Sequence, residues 1–191
     1  MIFLNYEESM KSKIIAGCDE VGRGPLAGPV YACAYIARNF VEGVNDSKKI
    51  PKKKRFEIYN ALITSGEFSI GFATSEEIDE INILNATKLA IKRATQGLGT
   101  IVNQFVVDGN MKFDDARFVS YIKADQRIYS CAAASIVAKV HRDKKMEELS
   151  QTSPQYFWEK NSGYGTKEHI DAIKKFGISK EHRKSFCKKF I

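Results

Sequence analysis

The chain has 191 residues, 43% of them hydrophobic and 28% charged, which suits one domain with a real core. No stretch approaches the ~18 apolar residues needed to cross a bilayer. The opening Met1-Ile-Phe-Leu-Asn-Tyr-Glu-Glu8 lacks the basic start and long apolar run of a signal peptide, so a cytoplasmic protein with no membrane partner is expected. Thirty Lys and Arg against 23 Asp and Glu leave a net charge of +7, which favours a polyanionic partner without naming one.

In chain order, Lys13 to Asp19 reads as a strand and Val30 to Ala37 as a second, with Gly22, Gly24, Pro25, Gly28 and Pro29 punctuating the link. Pro51 suits the first turn of a helix carrying Phe56, Tyr59 and Leu62 at helical spacing, which Ser65-Gly66 ends. Glu67 to Ala73 alternates like a strand. A long helix follows, with Ile83, Thr87, Ala90, Ile91, Ala94 and Leu98 on one face, closed by Gly97 and Gly99. Gln104 to Asp108 and Arg117 to Ile122 read as short strands. The spacing of Tyr129, Ala133, Ile136, Val137 and Val140 predicts a further helix from about Gln126 to Leu149. The remainder, with Pro154, Trp158 and a basic ending, reads as a helical appendage. The order is that of an α/β sheet with mixed strand directions, all in one domain spanning 1–191: a core over about 13–149 and a helical C-terminal extension over about 150–191.

Cys18, Cys33, Cys131 and Cys187 form no C-x-x-C pair, and His141, His169 and His182 have no metal-ligand spacing to them. Neither a zinc site nor a disulfide framework is expected, and the cysteines read as small buried residues.

Four acids, Asp19, Glu20, Asp108 and Asp125, fall at strand ends or at a helix start. Ligand sites in open α/β sheets lie outside the carboxyl ends of the strands. A carboxylate there is costly to desolvate unless a cation or hydrogen-bond donors compensate. Adjacent residues on a regular strand point to opposite faces. Asp19 and Glu20 therefore share a site only if the backbone leaves extended geometry, for which Gly22-Arg-Gly-Pro25 gives scope. Converging carboxylates on a basic chain suggest hard divalent cations, and two such ions ~4 Å apart suit phosphodiester hydrolysis. Each acid has an ordinary reading too. Asp19-Glu20 is equally a turn or ion-pair element, Asp108 before Gly-Asn is turn chemistry, and Asp125 suits a helix N-cap.

The segment Cys18-Asp-Glu-Val-Gly-Arg-Gly-Pro-Leu-Ala-Gly-Pro-Val30 resembles the opening motif of the type 2 ribonucleases H, the ribonuclease HII family. Further blocks agree in order: Asn45 to Lys49, Val107 to Asn110, Lys123-Ala-Asp125 leading into Ala132 to Lys139, Gly163 to His169, and, more loosely, His182 to Phe186. The resemblance covers nearly the whole chain from about Lys13. It implies a ribonuclease H-like fold, a five-stranded mixed sheet flanked by helices. It also implies that Asp19, Glu20, Asp108 and Asp125 are the catalytic, metal-binding acids, holding two Mn²⁺ or Mg²⁺ ions. Gly22, Arg23 and Gly24 match the segment that senses the ribonucleotide 2′-hydroxyl, Tyr164 the tyrosine that packs on the following sugar, and Lys48 a phosphate contact. The expected partners are RNA–DNA hybrid and duplex DNA containing ribonucleotides, and a monomer is expected. Ordinary roles are a surface ion pair for Arg23 and a loop aromatic for Tyr164. The rival functions are a junction nuclease on the same fold and a non-catalytic hybrid-binding module.

Two basic clusters stand out: Lys48-Lys49 with Lys52 to Arg55, and Lys174, Lys175, Lys180, Arg183, Lys184, Lys188 and Lys189. About half of these residues read as solvated surface, the rest as phosphate contacts.

Overall fold

The computed structural model describes residues 4–10 and 13–191. A short helix α1 (Leu4–Ser9) precedes β1 (Ile15–Val21) and β2 (Val30–Ala37). Helix α2 (Lys52–Ser65), β3 (Gly66–Ala73), α3 (Ser75–Gln96), β4 (Gln104–Asp108) and β5 (Phe118–Tyr121) follow. Helix α4 (Tyr129–Thr152) leads into α5 (Trp158–Asn161), α6 (Lys167–Phe176) and α7 (Lys184–Cys187). The five strands form one sheet in the order β3-β2-β1-β4-β5. β2 runs antiparallel to β1 and β3, while β1, β4 and β5 are mutually parallel.

Both faces of the sheet are covered, which explains why its inner strands are apolar almost throughout. Ala16, Cys18, Val30, Ala32 and Ala34 face one core that includes Ala86, Ala90, Ile91 and Ala94 of α3. Cys33 and Tyr35 face the other, with Leu62 of α2 and the alanines of α4. Small residues let α4 approach closely. A side chain at Gly17 would meet the backbone carbonyl carbon of Ser130 at 2.2 Å, so only glycine fits there.

Helix boundaries follow their caps. Thr74 and Glu77 form a reciprocal capping box at the start of α3. Asn82 then breaks the helix with φ 64° and recaps it, its Oδ1 accepting from the amides of Leu84 and Asn85. The apolar periodicity read from Ile83 is therefore that of the second segment. Helix α4 has no side-chain cap at Ile128. Glu7 of α1 does that work from a distance, accepting from the Ser130 amide at 2.9 Å and its hydroxyl at 3.1 Å.

The C-terminal extension closes around Leu26, Ala27, Met146, Tyr156, Trp158, Ala172, Ile173 and Cys187. It is built onto the β1–β2 link: the Leu26 amide donates to Gly163 O, Gly28 to Glu181 O, and Arg183 to Leu26 O, each at 2.8 Å. All four cysteines are buried and free, as their spacing suggested.

Candidate active site

The parallel register of β1 and β4 pairs Gly17 with Val106 and Cys18 with Val107. One step further sets Asp19 beside Asp108. Gly17 abuts Ser130 and Cys131, and Val106 accepts from the Cys131 thiol. By strand alternation Asp19 and Asp108 share that face, toward the start of α4. Asp125 arrives from the 3-10 turn Ala124–Gln126, which Lys123 enters in a left-handed conformation. Asp108 itself tethers the turn, its Oδ1 accepting from the Ala124 amide at 2.6 Å. One oxygen from each of Asp19, Asp108 and Asp125 lies within 4.8 Å of the others. Asp125 is thus no helix cap; it belongs to the turn before α4.

Glu20 stands apart from these three. The backbone stays extended through Val21, still paired with β2, and turns only at Gly22, where φ is +92°. Alternation therefore aims Glu20 at the opposite face. There it meets Arg23 at 3.4 Å, while its Oε2 is buried with no hydrogen-bond partner among the described residues. The surface ion-pair reading of Arg23 holds in this geometry.

Electrostatics mark the cluster as unbalanced. Burial, and next the charges of Glu20, Asp108 and Asp125, hold the Asp19 carboxyl well above the usual carboxylate range. Burial also raises Glu20, with Arg23 opposing and Asp108 adding to the effect. Asp125 is raised by burial, then by Asp108 and Asp46, against the pull of Lys48 and Lys49. Three converging carboxylate oxygens with no cation paired to them among the described residues fit a hard divalent cation, whose charge would oppose each of these shifts.

Gly24 and Tyr164 lie close together in the fold. A side chain on Gly24 would sit 3.7 Å from the Tyr164 ring, and Tyr164 is 45% exposed. Lys48 is exposed on the turn Ser47–Lys49, which Asp46 caps by accepting from the Lys48 amide at 3.0 Å. Asp46 was missed in the sequence. Its place before Ser-Lys-Lys is a capping signal, and only the fold shows its charge acting on Asp125.

Two other residues were misjudged or missed. Arg183, counted among the basic surface residues, is completely buried, and so is Arg142 of α4. Arg183 donates to the carbonyls of Gly22 (2.6 Å), Arg23 (2.8 Å) and Gly28 (2.8 and 3.0 Å). Arg142 donates to those of Pro29 (3.0 Å), Ala27 (3.3 Å) and Ser162 (3.0 Å). In the first basic cluster, Lys52, Lys54 and Arg55 are paired with Glu147, Glu57 and Asp143.

A family model described as Ribonuclease HII matches residues 16–189. Ribonuclease HII of Rickettsia akari (strain Hartford) is 51% identical over 185 residues, covering 96% of each chain. Among solved structures, ribonuclease H2 from Pyrococcus horikoshii OT3 superposes with a TM-score of 0.73 at 26% identity, covering 92% of this chain and 96% of that one. Bst-RNase HIII in complex with Mn²⁺ shares the fold at 19% identity and a TM-score of 0.67, over 86% of this chain and 61% of that one. A match across nearly the whole length, on a five-stranded mixed sheet of ribonuclease H type, leaves one assignment: the chain belongs to the ribonuclease HII family of metal-dependent endoribonucleases.

Proposed function

We propose that the protein hydrolyses the RNA strand of RNA–DNA hybrids and cuts on the 5′ side of single ribonucleotides in duplex DNA, leaving 3′-hydroxyl and 5′-phosphate ends. The observation that carries this reading is the oxygen cluster of Asp19 and Asp108 on the strand ends with Asp125 on the turn before α4, joined through β1 to the Gly22–Gly24 turn. Asp19, Glu20, Asp108 and Asp125 are the residues that would hold two Mn²⁺ or Mg²⁺ ions. When bound, the ions supply positive charge at the scissile phosphate and make water a nucleophile near neutral pH.

Each residue has a physical task. Asp19 and Asp108 are fixed by adjacent strands, and Asp108 also anchors the turn bearing Asp125. Glu20 joins by turning its carboxylate away from Arg23. The amides of the Gly22–Gly24 turn approach the 2′-hydroxyl, the one group that tells RNA from DNA at a given site. Tyr164 packs on the next sugar, and Lys48 faces phosphate. The 2′-hydroxyl serves recognition and not attack, which is why the products carry 5′-phosphate. The family assignment, and the Mn²⁺ held by a protein of the same fold, support this reading. A pure binding module gains nothing from buried carboxylates beside phosphate.

The test uses an end-labelled DNA duplex with one ribonucleotide, incubated with Mg²⁺ or Mn²⁺, with an all-DNA duplex as control. A single cut 5′ to the ribonucleotide, abolished by chelator and in Asp108→Asn, is expected. Tight binding without cleavage in either metal would leave a binding module instead.

A further inference from the structure

The β1–β2 link carries the turn assigned above to ribonucleotide sensing, yet regular secondary structure holds little of it. Its amides at Leu26, Ala27 and Gly28 are taken by Gly163 and Glu181, while its carbonyls converge on two buried guanidiniums. Neither Arg142 nor Arg183 has a carboxylate within ion-pair distance among the described residues. Burying a charge against carbonyl dipoles alone is costly, and burying two side by side adds repulsion. Burial, and next the charge of Arg142, lower Arg183 to about 9, so it remains protonated at neutral pH. A fold that needed only to close this link would do so more cheaply with neutral donors.

The bonds have a pattern. Arg183, brought by the C-terminal tail, grips the carbonyls of Gly22 and Arg23, the two residues preceding Gly24. Arg142, brought by α4, bridges Ala27 and Pro29 to Ser162. Ser162 lies two residues before Tyr164, whose own carbonyl accepts from His169 Nδ1 at 2.9 Å. A side chain at Gly22 would meet Arg142 Nε at 2.1 Å, so the turn is seated directly on that guanidinium. The two cations therefore fix the turn and the Tyr164 segment in one frame.

We infer that Arg142 and Arg183 are positioning residues for ribonucleotide recognition: they set the amides of the Gly22–Gly24 turn at a fixed distance from Tyr164, and the preference for a ribonucleotide over a deoxyribonucleotide depends on both. This rests on the reading that the turn senses the 2′-hydroxyl. Only a planar fork with several donors spans the carbonyls of Gly22, Arg23 and Gly28 together; the lysine ammonium keeps the charge and loses the span.

The experiment measures affinity in Ca²⁺ for a DNA duplex with one ribonucleotide and for its all-DNA counterpart. It compares the full chain with Arg183→Lys, Arg142→Lys and Gly24→Pro, the last removing a turn amide. Thermal unfolding is followed in parallel. For each lysine variant the preference for the ribonucleotide duplex should fall about tenfold, with all-DNA affinity unchanged. A purely structural role would move both affinities together, or leave the preference intact in a destabilised protein, and either result overturns the inference. Failure of both lysine variants to fold overturns it as well, since the arginines would then serve stability. Gly24→Pro separates the two levels. Preference lost in Gly24→Pro but kept in the lysine variants sinks the positioning role alone. Preference kept in Gly24→Pro shows that the turn does not read the 2′-hydroxyl.

Discussion

Two buried polar regions lie on either side of the β1–β2 link, and they are built on opposite principles. Asp19 and Asp108 on the strand ends and Asp125 on the turn before α4 gather negative charge, and none is in an ion pair among the described residues. In the C-terminal extension, His169, His182 and Trp158 are buried with their ring nitrogens all engaged. The tautomers there follow from the partners. His169 Nδ1 faces the Tyr164 carbonyl and must donate; His182 Nδ1 accepts from the Ser179 amide at 2.9 Å. His182 Nε2 therefore carries the proton and donates to His169 Nε2, which also receives the Trp158 indole N–H. The extension satisfies its polar groups internally, as a structural core must. The acid cluster instead gathers like charges with no cation paired to them among the described residues, an imbalance that a bound divalent cation would remove.

The contrast can be broken first at Asp19. Asp19→Asn should lower cleavage on the order of a thousandfold. Without divalent cation, the same variant should unfold at a higher urea midpoint than the parent chain, because one like charge has gone. Equal loss of activity and stability would mean that the carboxylate is structural.

The second test is pH. His182 is lowered to about 4, by burial first and then by the proximity of His169, with a backbone hydrogen bond to Ser179 opposing. An unfolded histidine titrates near 6.5, so between the two values the unfolded chain binds a proton that the folded one does not. Stability from this group is complete above about 6.5 and is lost as pH falls toward 4, amounting to about 3 kcal/mol. The raised carboxyls of the acid cluster act with the opposite sign. The informative quantity is therefore the difference between the parent chain and His182→Gln in urea denaturation across that window. Parallel curves would show that the histidine pair is not held neutral.

A smaller effect is expected at the link itself. Gly22→Ala combines φ +92° with a clash on Arg142, and should destabilise by about 2 kcal/mol. A neutral result would mean that the turn relaxes freely. Smallest of all, Lys48→Ala should reduce the salt slope of duplex binding by about 1 in a log–log titration, with cleavage position unchanged. An unchanged slope would remove Lys48 from the phosphate contacts.

Much of this was legible in the amino-acid order. Val30–Ala37 and Gln104–Asp108 emerge at their expected bounds, because continuous apolar runs between turn residues leave a buried strand few alternatives. The break at Asn82 was not legible, since a recapped helix keeps helical spacing on both sides. Helix α1 was not read at all; its six residues depend on Glu7 meeting Ser130 far along the chain. Asp19, Glu20 and Asp108 were legible as carboxylates that gain nothing from burial at strand ends, whereas the spacing of Asp125 suited a helix cap and only the fold put it in the turn before α4.

What the sequence determined by itself is the chemistry available: strand-end carboxylates, a glycine turn after β1, an exposed tyrosine between glycines, and a basic surface. Tertiary structure decided the partnerships. Parallel register made Asp19 and Asp108 neighbours, and strand alternation sent Glu20 to the other face with Arg23. Burial turned Arg183 from one more base in a lysine-rich tail into a donor beneath the Gly22 turn. Residue type and spacing reach about one turn or one strand; pairings across the chain follow from packing, which the local order of residues does not contain.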